Sequence, residues 1–323
     1  MVEGIREKFN KDIEIGIIHT ATSPCRCAEA IEVGIKALGF RSSIYNSEDI
    51  LIKGNYIVDI SDLIIDHTDT FLERGGMRAF VRLILEAKGA KLIGAGSHAA
   101  MVGDDKYATK KKFQKLNIPT PEGIVIFNSN WDLPNWLMPP YIIKPIYEHM
   151  SRGITVVDDK KEARAITEHL IRTLKQPVII ERFISGREMA VSMIEDTEKG
   201  LVMLPPLEWI MDPHEKYQNR SFKLTEHSRG RKDVMPAVLS KKDMERLSYL
   251  AKNAFRGLGM RDYCRFDIKF SMDGEFFFLE TNISPSMEKA EAMALSAQLV
   301  GINYTELIGK IILSAAKRYG MII

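Results

Sequence analysis

Short apolar runs alternate with stretches of helical periodicity through the first hundred residues. Ile13-Glu14-Ile15-Gly16-Ile17-Ile18 has the length and β-branched content of a buried strand. Ala28 to Leu38 places apolar residues at helical spacing and meets a stop at Gly39. Arg41 to Tyr45 predicts a second strand, Asp62 to Asp66 a third, Met77 to Ala87 a helix and Lys91 to Gly94 a fourth strand. Alternating strand and helix predicts a parallel sheet with helices on its faces. Ligands sit just past the strand ends of such sheets. Asp66, His67 and Asp69 are therefore candidates for the substrate side, although helix capping and loop solvation use the same residue types.

The pattern changes after Asp104. A charged, helix-forming stretch to Leu116 meets the break Asn117-Ile118-Pro119-Thr120-Pro121. Strands are then predicted at Gly123–Phe127, Tyr141–Pro145, Gly153–Val157, Val178–Ile180, Glu188–Ile194 and Leu201–Pro205, with a helix from Lys160 to Leu174. Met211 to Lys232 is polar and basic without apolar periodicity, and a loop of about 20 residues inside a domain is often functional. Ser240 opens a helix to Gly257. Tyr263–Ile268 and Glu275–Leu279 flank the hairpin signal Asp273-Gly274, and a last amphipathic helix spans Tyr304 to Arg318.

Composition narrows the classes. The 323 residues are 45% hydrophobic and 27% charged, an ordinary globular balance. A net charge of +2 gives no electrostatic reason to expect a nucleic-acid or membrane partner. Met1 to Lys11 is charged and lacks the apolar core of a signal peptide, and no run approaches the roughly 20 apolar residues of a membrane span. Three cysteines (Cys25, Cys27 and Cys264) fit a reducing, cytoplasmic setting. Cys25-Arg26-Cys27 is either a soft-metal pair or two unmodified thiols, and no nearby sequence cluster completes four ligands.

The chemistry is concentrated near the C-terminus. Strand alternation puts Arg265 and Asp267 on one face, and Glu280 and Asn282 on one face of the next strand. If the Asp273-Gly274 turn pairs these strands, three oxygen-bearing side chains converge beside an arginine. That set suits Mg²⁺ on nucleotide phosphates. A cross-strand salt-bridge cluster is the alternative, but the flanking Phe266, Ile268, Phe278 and Leu279 predict buried strands, where carboxylates need a cation.

Asp267, Glu280 and Asn282 resemble the metal triad of ATP-grasp enzymes, and Asn282-Ile283-Ser284-Pro285 resembles the Asn-x-x-Pro segment of D-alanine–D-alanine ligases. Further resemblances follow in family order: Asp105-Lys106 with Lys112 to Pro121, Ile142-Ile143-Lys144-Pro145, Glu181 to Glu188, and Glu215-Lys216-Tyr217. The resemblance implies an α/β ATP-grasp fold behind a Rossmann-like pre-ATP-grasp domain. It divides the chain into residues 1–103, a central small lobe at 104–182 and a C-terminal lobe with the metal site at 183–323. It further implies ATP and Mg²⁺ as cofactors (two ions, with Mn²⁺ as a substitute), carboxylate and amine substrates, and a homodimer.

The residue roles also follow from the resemblance. Lys106 and Lys144 would meet phosphates, Glu181, Arg182, Phe183 and Ile184 the adenine, and Glu188 the ribose. For Glu188, a plain surface carboxylate is the alternative. Lys216 would reach the γ-phosphate, and Glu148 to Gly153, with Ser151, would cover the triphosphate. The implied reaction makes an acyl phosphate and then an amide. Arg265 and backbone N–H groups near Ser286 would stabilise the tetrahedral oxyanion.

Departures from the family cluster on the substrate side. The first loop, His19 to Cys27, lacks the family's ammonium-binding glutamate, and Pro285-Ser286 replaces Pro-Gly. Glu291 stands where the family has a serine that grips the second substrate's carboxylate, with Glu288 nearby. A carboxylate there would repel a substrate carboxylate, which predicts an amine other than D-alanine unless Glu291 faces solvent from a helix. Lys223, Arg229, Arg231 and Lys232 add a basic loop, read as solvated or as meeting an acidic substrate. An ATP-grasp phosphotransferase and a non-catalytic nucleotide-binding protein are the competing functions.

Overall fold

Ile15, Ile17 and Ile18 are fully buried in β1 (Glu14–His19), as a strand covered on both faces requires. In the computed structural model, which describes residues 3–9, 12–23, 25–128, 130–149, 152–210 and 234–322, β1 is central to a parallel sheet. With β2 (Arg41–Asn46), β3 (Leu63–His67) and β4 (Leu92–Ile93), the strand order is β2-β1-β3-β4. The helices of this part are α1 (Glu3–Glu7), α2 (Cys27–Ala37), α3 (Ile50–Ile60), α4 (Arg78–Ala87) and α5 (Ser97–Asp104). Neither α3 nor α5 is predicted from the sequence. Apolar residues are spread around α3, and Gly54 interrupts it, so no single stripe marks it as a helix.

A second sheet is antiparallel, ordered β5-β8-β6-β7 from β5 (Gly123–Ile126), β6 (Tyr141–Pro145), β7 (Thr155–Val157) and β8 (Val178–Arg182). It is preceded by α6 (Lys106–Lys115), whose N-terminus Asp105 caps by accepting from the N–H groups of Tyr107 and Ala108. Tyr141, Ile143, Val178 and Ile180 form its core with Ala163 and Leu170 of α7 (Lys160–Leu174).

The third sheet runs β12-β11-β9-β13-β14, with β10 also on β9. Its strands are β9 (Gly186–Asp196), β10 (Gly200–Met203), β11 (Leu207–Trp209), β12 (Val234–Pro236), β13 (Tyr263–Ser271) and β14 (Phe276–Asn282). The short β11 and β12 are not predicted from sequence. The expected Met211–Lys232 loop lies outside the described residues. Phe113 of α6 meets Phe278 and Phe266 edge-on, with centroids 5.5 and 6.4 Å away, and so fastens α6 under the hairpin.

Three more helices complete the described fold: α8 (Lys241–Gly257), α9 (Ala292–Gln298) and α10 (Tyr304–Arg318). Asn303 and Glu306 form a capping box at the start of α10. That helix returns to the first sheet: a Cβ at Gly34 of α2 would lie 2.8 Å from Ile308. No helix among the described residues is long and apolar enough to cross a membrane.

Candidate active site

The predicted hairpin forms. Arg265 faces Asn282 and Asp267 faces Glu280 across β13 and β14. The register shifts between Asp267 and Ile268, leaving Leu279 as an extra residue that lines the cleft. Arg265 holds Asp267 through two bonds, of 2.6 and 2.9 Å, and Asn282 Nδ2 donates to Asp267 at 3.0 Å. Burial lowers the guanidinium pKa of Arg265, but Asp267, Glu291 and Glu280 outweigh it and keep the group charged. The field of Glu291 therefore reaches the arginine. Glu291 is half-buried at the start of α9 rather than turned out to solvent.

This hairpin floors a cleft of about 630 Å³, its open mouth included. Ile142, Lys144, Ile154, Glu181, Arg182, Phe183 and Ile184 line it from the small-lobe side, and Glu188, Asp267, Lys269, Leu279 and Glu280 from the hairpin side. Glu181 is only 2% exposed. Lys144 binds it at 2.8 Å and Lys110 at 2.9 Å. Burial raises the Glu181 pKa, yet the two ammoniums pull it down to about 2.

Lys106 sits behind the metal-type cluster, 3.8 Å from Glu280 and donating to the Glu148 carbonyl at 2.5 Å. Burial lowers its pKa, partly offset by Glu280. A desolvated ammonium beside a half-buried carboxylate suits a phosphate oxygen. The donor set of Asp267, Glu280 and Asn282 is oxygen-based and partly exposed, which suits a hard divalent cation. These residues therefore fit both the nucleotide and Mg²⁺.

Several expectations need correction. His67 does not face the cleft: it is 4% exposed, its Nε2 lies 2.9 Å from the Tyr263 hydroxyl, and burial pushes its pKa down to about 3. Asp66 is bound by Arg82 at 2.8 Å, and Arg82 also reaches Ser284, so this pair anchors the loop after β14. The expected adenine wall is not among them: Phe183 and Ile184 line the cleft, while the Glu181 side chain is held by lysines and the N–H groups of Arg182 and Phe183 donate to the Glu122 and Pro140 carbonyls. Near Ser286, Met287 N–H donates to Cys27 Sγ at 3.3 Å and Glu288 N–H lies 3.5 Å from the Ser286 hydroxyl. Asp69, Ser286 and Glu288 gather at the first loop. Asp69 accepts from Ser23, the Ser286 hydroxyl lies 3.4 Å from Cys27 Sγ, and Glu288 accepts from Arg26 N–H at 3.0 Å. Lys216, Ser151 and the basic side chains Lys223, Arg229, Arg231 and Lys232 lie outside the described residues.

Lys110 and Lys269 escaped the sequence reading. Lys110 is one helical turn from Lys106, and Lys269 continues the Arg265–Asp267 face, placing its ammonium 3.1 Å from Glu188. Both spacings were visible, but their carboxylate partners come from distant strands.

A small antiparallel lobe and a larger sheet facing one another across a lysine- and carboxylate-lined cleft define an ATP-grasp protein. Residues 113–313 match the family described as D-ala D-ala ligase C-terminus. The D-alanine–D-alanine ligase of Thermotoga maritima is 30% identical over 299 residues, covering 92% of this chain and 93% of that protein. The same-named protein of Marinobacter nauticus is 32% identical over 250 residues, 74% of this chain and 71% of its own. The crystal structure of the Bacillus anthracis D-alanine–D-alanine ligase complexed with ATP superposes with a TM-score of 0.76 at 21% identity, covering 95% of this chain and 99% of that one. This chain belongs to the D-alanine–D-alanine ligase family.

Proposed function

We infer that this chain joins a carboxylic acid to an amine, consuming ATP through an acyl phosphate and releasing ADP and phosphate, and that its amine is not a plain α-amino acid such as D-alanine. The observation that carries the ligase reading is the meeting of Asp267, Glu280, Asn282 and Arg265 on one hairpin, with Asp267 and Glu280 lining the same cleft as Lys144. Lys106 and Lys144 hold the phosphates. Phe183 and Ile184 give the base an apolar wall, and Glu188 takes the ribose hydroxyls. Asp267, Glu280 and Asn282 would hold Mg²⁺, which would supply positive charge to the transferring phosphoryl group. Arg265 offers fixed positive charge to the oxyanion of the amide-forming step. The roles of Lys216 and Ser151 rest on the family resemblance, as does a homodimer. A reaction that consumes ATP fits a cytoplasmic setting.

The altered amine rests on Glu291, half-buried at the start of α9, whose charge helps to raise the Arg265 pKa. A substrate carboxylate there would meet a like charge, whereas an amine lacking one, or carrying a further positive charge, would not. ADP and phosphate release across panels of acids and amines tests both parts. Phosphate released only when acid and amine are both present supports the ligase. A stable phosphorylated product refutes it, and rapid D-alanyl-D-alanine formation refutes the altered amine.

A further inference from the structure

The first loop carries a cluster that the cleft chemistry does not use. His19 ends β1, and Asp69 follows β3, the neighbouring strand, where His19 and His67 share a register position. Thr20 ties the two loops together: its hydroxyl donates to the Thr70 carbonyl at 2.8 Å and accepts from the N–H groups of Asp69 and Thr70 at 3.1 Å each. On this frame a ring nitrogen of His19, Cys25 Sγ and a carboxylate oxygen of Asp69 all lie within 4.8 Å of one another. Cys25 Sγ, Cys27 Sγ and a carboxylate oxygen of Glu288 do the same. Cys25 is common to both groups.

His19 supplies an independent sign of a ligand. It is 8% exposed, and its Nε2 is buried with no hydrogen-bond partner among the described residues. A buried ring nitrogen without a partner is costly unless something else satisfies it. The outer contacts also resemble those that hold metal ligands in place. Ser23 donates to Asp69, Arg26 N–H donates to Glu288, and Met287 N–H points at Cys27 Sγ. The structure joins Cys25 and Cys27 in a disulfide rather than leaving the unmodified thiols expected from the sequence, so a thiol reductant must first supply two electrons and two protons to open it before a cation can displace the protons and take the two sulfurs as thiolates.

We propose that this loop binds a thiophilic divalent cation, Zn²⁺ by its ligand chemistry, centred on Cys25 and drawing its remaining ligands from His19, Asp69, Cys27 and Glu288. Thiolate, imidazole and carboxylate together suit zinc and disfavour Mg²⁺ or Ca²⁺. Zinc–ligand bonds of about 2.0–2.3 Å set tetrahedral neighbours about 3.3–3.8 Å apart, so the three donors within each group, already within 4.8 Å of one another, need only small shifts, and the fourth ligand comes across from the other group through their shared Cys25. The site is separate from the Asp267–Glu280–Asn282 cluster, and the proposal does not rest on the ligase reading.

The test uses the full chain, purified under reducing conditions, stripped of metal and titrated with Zn²⁺ against a chromogenic chelator, then with Co²⁺. One equivalent of Zn²⁺ should bind, and the Co²⁺ form should show thiolate-to-metal charge-transfer absorption. Cys25→Ser should remove that equivalent and the absorption, and His19→Gln should weaken binding at least about tenfold. Glu280→Gln should retain it, separating this site from the cleft. Binding that is indifferent to both Cys25→Ser and His19→Gln overturns the proposal. So does a reduced chain that takes up no Zn²⁺, or a Cys25–Cys27 disulfide that persists under those conditions. Should Cys25→Ser fail to fold, the Co²⁺ spectrum of the unaltered chain decides alone.

Discussion

Lys144 Nζ stands 2.8 Å from Glu181 Oε2 inside the wall of the cleft, and Lys110 binds the other oxygen of the same carboxylate at 2.9 Å. Glu181 thus pairs with two buried ammoniums, and its partner Lys144 lines the cleft where a nucleotide's phosphates would lie. Removing its charge leaves both without their buried partner. Glu181→Gln should lower stability by about 3–5 kcal/mol in urea unfolding, the usual result of breaking a buried pair.

The same carboxylate gives a pH signature. Its pKa falls from the usual 4.5 to about 2 because Lys110 and Lys144 overcome the effect of burial. A depressed carboxylate contributes stability that is complete above the unfolded value and lost as pH falls through the folded one. The loss from this group should therefore run from about pH 4.5 to about 2. Glu181→Gln should flatten that limb of the stability–pH curve, and an unchanged limb would count against the triad.

Turnover should depend on charge at the hairpin. Glu280→Gln and Lys144→Ala should each reduce ADP release by at least about a hundredfold, comparable to losing one preorganised electrostatic contact. Far-ultraviolet circular dichroism checks that the variants remain folded. Near-normal rates in either variant would contradict the site assignment.

How much of this was legible in the sequence depended on distance along the chain. Arg265, Asp267, Glu280 and Asn282 could be placed together because strand alternation and one tight turn fix their geometry locally. Lys110 and Lys269 could not, since their partners, Glu181 and Glu188, lie 71 and 81 residues away. His67 was misread because a polar residue at a strand end looks the same whether it faces a cleft or, as here, the Tyr263 hydroxyl in the interior. The loop cluster around Cys25 was invisible for a related reason. Its donors come from three separate segments, and spacing reveals only the Cys25–Cys27 pair.

His67 carries its own prediction. Burial depresses its pKa from 6.5 to about 3. Between those values the unfolded chain takes up a proton that the folded chain refuses, so this residue makes stability fall as pH drops from about 6.5 toward 3. A proton NMR titration should find the His67 ring neutral down to about pH 4. A midpoint near 6.5 would mean that the ring is exposed to solvent.

The substrate question turns on one carboxylate. Glu291 begins α9 half-buried, and its field reaches Arg265. If it lies against the incoming amine, Glu291→Ser removes the repulsion of a substrate carboxylate and restores a hydroxyl that can donate to one. Each 1.4 kcal/mol of relieved repulsion is about tenfold in affinity, and like charges in a closed site cost at least that much. The KM for α-amino acids should fall at least about tenfold in Glu291→Ser, while kcat changes little because Arg265 and the hairpin carboxylates are untouched. The unaltered enzyme's preferred amine should be used less well by the variant. If both kinds of amine respond equally to the substitution, Glu291 does not choose the substrate, and the difference from D-alanine must be sought at the first loop, where His19 to Cys27 meets Ser286 and Glu288.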